Sequence, residues 1–254
     1  MINELLKFDD MIDGFIGMSL LFVAIGLALT VNNAKYLLSG YNTMSEEDRK
    51  KVDIKKYVPF FRNFHIFLGV SFFIIGMALT YLISESVGGI FLSIYPILCY
   101  IYFLIAGGKY WKGFSTKGSS WVVIILVGVL VFVGVLLGYG MKEDKVMLEP
   151  QALVFQGSYG ETLSSSHIQS IELVGQLPQI TFKTNGFGLG SVRKGYFRTK
   201  EKEVVKLILN GDQKPIILIT KTDGKKIYYS ARSTSNEDIV EEIQQNFPDK
   251  VHTR

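Results

Sequence analysis

Charged side chains are missing from four long stretches in the N-terminal part of the chain. The stretches are residues 14–34, 63–84, 86–108 and 118–141. Each contains more than 20 residues, and a helix of about 20 apolar residues crosses the roughly 30 Å hydrocarbon core of a bilayer. The pattern therefore predicts a transmembrane domain of four spans over residues 1–141, with a long loop at 35–62.

Beyond the fourth stretch, apolar and polar residues alternate in short runs. In residues 204–210 the period is two, as in a half-buried strand. Asp223-Gly224, between two such runs, indicates a tight hairpin turn. Near the end of the chain, Ser235 or Asn236 can cap a helix whose apolar residues recur at every fourth position. This part of the chain therefore predicts about seven strands followed by one amphipathic helix.

Together the two patterns predict an α+β membrane protein. A four-helix transmembrane bundle is followed by an antiparallel β-barrel or sandwich, which a C-terminal α-helix caps. We expect the β domain to occupy residues 146–247 and a short tail to follow at 248–254.

The loop at 35–62 contains a second, shorter helix signal. Ser45 precedes Asp48 by three residues, as in a capping box. We expect a surface helix over residues 46–57, ended by Pro59, which lacks a backbone donor. The basic residues of this loop can fix the topology, and they can also attract anionic lipids.

The distribution of basic residues predicts the orientation in the membrane. Ten Lys and Arg lie in the segments 35–62 and 109–117, against three near the opposite ends of the spans. Basic loops stay in the cytoplasm, so we expect both termini, and with them the β domain, to be extracytoplasmic in a cell (plasma or inner) membrane. The net charge of +4 over 254 residues argues against a nucleic-acid binder.

Short motifs in each half resemble known families. The C-terminal half resembles bacterial pleckstrin-homology (PH)-like domains in residues 186–190 (GFGLG), 195–198 (GYFR), 216–220 (IILIT), 223–225 (DGK) and 236–240 (NEDIV). That resemblance implies a seven-stranded barrel plugged by a C-terminal helix. Residues 40–44 (GYNTM) resemble a loop in a family of short bacterial membrane proteins of unknown function, over about 11–106. Neither resemblance implies a catalytic residue or a defined ligand.

The densest basic stretch of the β domain is the candidate interaction surface. It consists of Arg193, Lys194, Arg198, Lys200, Lys202 and Lys206. These side chains could bind a protein partner, an anionic lipid or a wall polymer. The alternative is a solvated strand edge, where lysines discourage pairing between sheets.

Other chemistry finds little support. His65, His167 and His252 have no companions at metal-ligand spacing, and the glycines of residues 186–190 precede no helix that could cradle a phosphate. We therefore expect no metal, no cofactor and no catalytic site. The sequence favours a non-catalytic membrane protein that presents a binding or scaffolding module, as a sensor or an accessory subunit of a membrane complex. The alternative, a small transporter or channel component, is disfavoured because the spans lack charged side chains.

Overall fold

The chain folds into a helical unit followed by a strand-rich unit. The computed structural model describes residues 2–111 and 117–252. Contacts divide the chain into Met1–Leu136 and Leu137–Arg254. Lys112 of the second basic loop, and Thr253 and Arg254 of the predicted tail, lie outside the described residues.

Four of the helices are long and apolar enough to cross a membrane. The helices before the strands are α1 (Ile2–Ala28), α2 (Ala34–Leu37), α3 (Glu46–Arg49), α4 (Ile54–Leu82), α5 (Glu85–Gly107) and α6 (Lys117–Met141). The candidate spans among the described residues are Met11–Ala28, Ile54–Leu82, Glu85–Tyr110 and Ser120–Met141, with mean hydropathies of 1.9 to 3.0. The sequence prediction of four apolar, membrane-length helices is confirmed.

Helix α1 ends at Ala28, six residues before the end of the predicted span. Two reciprocal hydrogen bonds stop it. The Thr30 amide donates to Asn33 Oδ1 (2.7 Å), and the Asn33 amide donates to Thr30 Oγ1 (3.2 Å). Asn33 Nδ2 also donates to the Ala28 carbonyl (2.8 Å). Asn side chains that bond to nearby backbone in this way compete with helix continuation.

The loop helix differs from the prediction at its end. Ser45 Oγ accepts the Asp48 amide (3.2 Å), so the predicted cap is present, but α3 stops at Arg49. Pro59 was expected to end a helix, and it instead lies inside α4. The hydrogen bond that proline forfeits is offset by burial beside it, since Tyr57 and Val58 are 6% and 2% exposed.

Large aromatic side chains fill the core between α1, α4 and α5. Phe15, Leu68 and Phe72 are fully buried, and the Phe15 and Phe72 rings lie 5.2 Å apart. Gly76 allows a close approach of α1 and α4, because a Cβ at that position would collide with the Phe15 ring. In an 18-residue window of α6, by contrast, no residue is buried, as expected for a helix that faces lipid.

The strand-rich unit contains two sheets within its described residues. The strands are β1 (Val146–Glu149), β2 (Ala152–Phe155), β3 (Thr162–Ser164), β4 (Ile168–Val174), β5 (Ile180–Leu189), β6 (Val192–Thr199), β7 (Val204–Leu209), β8 (Ile216–Lys221) and β9 (Lys226–Ser230). The first sheet has the order β1-β2-β3 and the second β4-β8-β9-β7-β6-β5. All pairs are antiparallel except β7 with β9, which is parallel.

Of the two predicted arrangements, a barrel or a sandwich, the barrel is wrong for the described strands, because the sheets do not close. After β7 the chain crosses to pair β8 with β4, and β9 then returns between β8 and β7. Strands β4 and β5 are thereby left at opposite edges of an open sheet. The two sheets nevertheless share a core, in which Leu153 and Leu163 of the smaller sheet join Ile217 and Tyr229 of the larger one. The PH-like fold itself is not confirmed by this topology.

Two local predictions of the β region are confirmed. Strands β8 and β9 form an antiparallel hairpin around Gly224, which has a φ of 82°. Helix α7 (Asn236–Asn246) begins behind Ser235, whose Oγ accepts the Asp238 amide (3.2 Å). Its residues Ile239 and Ile243 are buried in the shared core, so α7 covers one side of the sheets.

Candidate functional site

The structure divides the six predicted basic residues between two faces of the sheet. Lys194 and Lys206 lie on the face that points to the shared core, and their side chains are 4% and 7% exposed. Lys200 and Lys202 are exposed in the turn between β6 and β7. The six residues therefore do not form one continuous cationic surface, because Lys194 and Lys206 are buried against acidic side chains.

The two arginines of the set are partly buried. The Arg198 guanidinium lies 5.0 Å from the centroid of the Phe182 ring, a cation–π contact between β6 and β5. Arg193 is partly buried near the end of the β5–β6 hairpin. Whether the accessible residues bind a partner stays a prediction.

Lys206 belongs to an internal charge cluster. Its Nζ lies 2.9 Å from Glu161 Oε1, and Lys221 Nζ lies 3.2 Å from Glu161 Oε2. Burial alone would raise the pKa of Glu161, but the hydrogen bonds and charges of the two lysines outweigh it, so this pKa lies below its ordinary value. Glu161 thus connects the segment before β3 to strands β7 and β8.

Lys194 lies at the junction between the end of α6 and the β domain. Its Nζ is 3.1 Å from Asp144 Oδ1, and the two side chains are 4% and 8% exposed. The same ammonium donates to the Lys142 carbonyl. Burial lowers the pKa of Lys194, and the hydrogen bond and charge of Asp144 oppose that shift. A buried ion pair therefore connects the residues that follow the fourth span to strand β6.

Asn210 holds the backbone of the junction. Its Oδ1 accepts the Asp144 amide (2.7 Å), and its Nδ2 donates to the Asp144 carbonyl (2.8 Å) and to the Ser230 carbonyl (3.0 Å). The Tyr229 hydroxyl donates to the same Asp144 carbonyl (3.3 Å). Asn210 is fully buried, so its amide satisfies backbone groups that would otherwise be orphaned.

Glu143 and Arg232 complete the junction from its outer side. Glu143 Oε1 accepts the amides of Arg232 (2.7 Å) and Ser233 (3.1 Å). Partial burial alone would raise the pKa of Glu143, but these hydrogen bonds outweigh it and lower this pKa. Arg232 Nη2 donates to the Met141 carbonyl (3.0 Å) and its Nε to the Asn210 carbonyl (2.8 Å). A cation near the last carbonyls of α6 also interacts favourably with the negative end of the helix dipole.

Sequence reasoning missed this junction. Residues 142–145 (KEDK) suggest solvated charges after a span, which is what they are in most membrane proteins. One signal was present: residues 142–145 contain no Gly, Ser or Pro, so the connection lacks the composition of a flexible linker. The partners of these charges lie more than 50 residues further along the chain, and the sequence does not specify that pairing.

A second buried polar contact lies inside the helical unit. His65 lies inside α4, where it is 2% exposed. Its Nδ1 lies 2.8 Å from the Phe61 carbonyl and its Nε2 lies 3.3 Å from the Tyr100 hydroxyl. Aromatic rings surround the imidazole, with the centroid of Phe61 at 4.0 Å.

Reactive groupings are few in the described residues. Residues 11–111 and 120–252 contain no group of three or more His, Cys, Asp and Glu side chains that could hold a metal ion. Ser164 Oγ does lie 2.8 Å from His167 Nδ1, on the surface. The two residues are three positions apart in a single turn before β4, and a polar turn accounts for the contact. The predictions of no metal and no catalytic site stay predictions.

Comparison with known proteins supports only the helical half of the resemblance. A domain of unknown function (DUF3784) matches residues 16–111. The match covers the region from α1 to the turn after α5, and the loop with the GYNTM motif lies within it. No curated protein and no solved structure matches the chain. The apolar helices are therefore similar to this family of unknown function, and the resemblance of the C-terminal half to PH-like domains finds no support among relatives.

Proposed function

We propose that the protein is a non-catalytic, multi-pass membrane protein that presents its β domain as a binding module directly after its fourth candidate span. In this role it serves as a scaffold, a sensor or an accessory subunit of a membrane complex. The observation that carries the proposal is the junction, defined here as residues 141–144 with Lys194, Asn210, Tyr229, Arg232 and Ser233.

The cost of such a junction supports a positional role. Taking Asp144 and Lys194 out of water costs several kcal/mol per ion before their attraction is counted. A domain that needed only to be tethered could be attached by a flexible, solvated linker without that cost. A junction of this kind is expected where the connection between the last turn of α6 and the β domain has to be rigid.

The β5–β6 hairpin is the surface that we propose for the partner. Residues 180–199 contain no acidic side chain, and three of their four basic side chains remain once Lys194, buried against Asp144, is set aside: Lys183, Arg193 and Arg198. Strand β5 is an edge of the six-stranded sheet, and residues 181–185 are all exposed. Beyond the hairpin, the exposed Lys200 and Lys202 flank the exposed Glu201, so this turn adds one net positive charge. Charge complementarity favours an acidic protein segment as the partner.

Affinity capture with matched variants tests this function. The full-length protein is crosslinked in its native membrane and purified, as wild type and as the R198E/K200E/K202E variant. The matched control is K145E/K214E/K225E, which makes the same change of charge elsewhere in the domain. We expect a defined set of crosslinked proteins that the first variant loses and the control retains. Equal capture by both variants, or no capture above background, would refute the proposal.

The finer parts of this proposal have their own tests. The proposal that the β domain is PH-like rests on the short motifs of residues 186–240 and on the C-terminal helix. An experimental structure of the domain decides it.

The proposal that both termini are extracytoplasmic rests on the charge bias of the loops. A reporter fused after the last residue, active only outside the cytoplasm, should be active if this orientation is correct.

One observation favours a second candidate function, a transporter or channel component. His65 is an ionisable residue buried within a candidate span, in contact with Tyr100. Such groups often mark ion or proton pathways. Solute or proton flux in proteoliposomes of the pure protein that is lost in His65→Phe would favour this function over the scaffold.

A further inference from the structure

A groove on the helical unit combines positive charge at one end with aromatic walls along its length. It has a volume of about 770 Å³ and lies along α4, against Tyr102 of α5 and Tyr110 of the turn that follows. Lys55 and Lys56, in the first turn of α4, line one end. The groove is separate from the junction and from the β domain.

The charged end of the groove carries an excess of cations. Lys56 is 76% exposed, and its Nζ lies 3.4 Å from Asp53, the residue that caps α4. Lys109 contributes a third cation close to the same end, with its Nζ 5.1 Å from the centroid of the Tyr110 ring. The three lysines outnumber Asp53, which already caps α4. This end of the groove therefore has a net positive charge that an anion can approach.

The rest of the groove is apolar and has the length of one leaflet. Phe67 and Tyr102 line it and are 65% and 64% exposed. From Lys55 to Phe67 the helix rises about 18 Å, at 1.5 Å per residue, and one leaflet of the hydrocarbon core is about 15 Å thick. Asn63, exposed and about two turns beyond the lysines, can donate to an ester or glycerol oxygen.

We infer that this groove is a binding site for one anionic phospholipid. The phosphate lies among Lys55, Lys56 and Lys109, and an acyl chain follows the aromatic wall toward Phe67. A candidate membrane-spanning helix forms the wall, so hydrocarbon is the natural occupant of its apolar length. The charged end selects for lipids with a net negative charge, because a zwitterionic headgroup gains less from three nearby cations.

Native mass spectrometry of the full-length protein with mixed phosphatidylglycerol and phosphatidylcholine tests the inference. We expect one phosphatidylglycerol to remain bound, and its affinity to fall about 25-fold in K55Q/K56Q, since each lysine near a charged membrane surface contributes about fivefold. The matched control K35Q/K50Q removes the same charge from the same loop and should keep the affinity within about twofold of wild type. Inorganic phosphate should not compete, because it lacks the acyl chain.

Two further variants leave the charge of the groove unchanged. They distinguish binding at a defined site from diffuse electrostatic attraction. Asn63→Trp should fill the groove and prevent the phospholipid from remaining bound, and Phe67→Ala should shorten the apolar wall and weaken binding. Both positions are exposed, so folding is expected to persist, and the melting temperature in detergent checks it. The inference is overturned if K55Q/K56Q and K35Q/K50Q weaken the binding of phosphatidylglycerol equally, or if phosphatidylcholine binds as tightly as phosphatidylglycerol. It is also overturned if folded Asn63→Trp binds phosphatidylglycerol like wild type.

Discussion

The ion pair between Asp144 and Lys194 offers the sharpest test of the junction. Asp144→Ala removes the carboxylate and leaves the Lys194 ammonium, which is 4% exposed, without its counter-charge. Breaking a buried pair in this way costs about 3–5 kcal/mol, because the remaining charge stays out of water. Since Lys194 keeps its hydrogen bond to the Lys142 carbonyl, we expect the lower end of that range.

Hydrogen–deuterium exchange of the full-length protein in lipid nanodiscs measures this loss. A loss of about 3 kcal/mol increases the population of the open junction roughly 150-fold, so the amides of residues 142–146 and 206–210 should exchange faster by that factor. Asp223→Ala is the matched control, because the Asp223–Lys225 pair lies on the surface of the same domain and should not measurably change exchange. Equal exchange in the two variants would refute the junction as a stabilising element.

The pH dependence gives an independent check on the same residue. Burial lowers the pKa of Lys194, and without Asp144, which opposes that shift, the pKa falls further. A lysine whose pKa is lowered in the folded state destabilises the fold at low pH. This penalty shrinks as the pH rises through the folded pKa toward the ordinary value of 10.5. Asp144→Ala should therefore regain stability at alkaline pH, and the double variant D144A/K194M, which has no buried ammonium, should not.

Three further substitutions test other parts of the structure. Asn210→Ala removes a fully buried amide that bonds three backbone groups; it should cost about 2–3 kcal/mol, measured by denaturant unfolding. The lowered pKa of Glu161 means that its carboxylate stabilises the fold above pH 4.5 and ceases to do so as the pH falls through the folded value, so acid titration of Glu161→Gln should show a shallower loss of stability than wild type. Gly76→Ala places a Cβ against the Phe15 ring, and this overpacking should cost about 1–3 kcal/mol in thermal unfolding, whereas Gly134→Ala, with open space around it, should not.

Local signals in the sequence predicted the parts of the fold that depend on local physics. The uncharged stretches marked the apolar helices because a bilayer imposes their length and composition. Ser45 and Ser235 marked helix starts because a capping hydroxyl acts within three residues. The Asp223-Gly224 turn was predicted for the same reason, since Gly224 readily adopts the positive φ that closes a tight hairpin.

Features that depend on distant pairing could not be predicted in this way. Alternation identified β7, β8 and β9 as strands, but it carries no information on whether β9 pairs in parallel with β7. That choice opens the sheet and excludes the expected barrel. The prediction that Pro59 ends a helix rests on its missing backbone donor alone. The packing of Tyr57 and Val58, which keeps α4 intact, depends on residues of other segments.

In the candidate site, too, the features that depend on distant pairing could not be predicted. This is why the basic stretch of residues 193–206 was wrongly predicted to form one surface. Lys194 and Lys206 stand beside exposed basic residues in the sequence, yet each lies in the interior against one acid. Lysines are almost never buried without a partner, so a lysine at an inward position of a strand implies an acid elsewhere in the chain. Asp144 was a candidate for that role. It follows the fourth span closely and no flexible linker comes after it, so its carboxylate can reach only nearby strands. An inward lysine is therefore better interpreted as the partner of an acid elsewhere in the domain, Asp144 for Lys194 and Glu161 for Lys206, than as part of a binding surface.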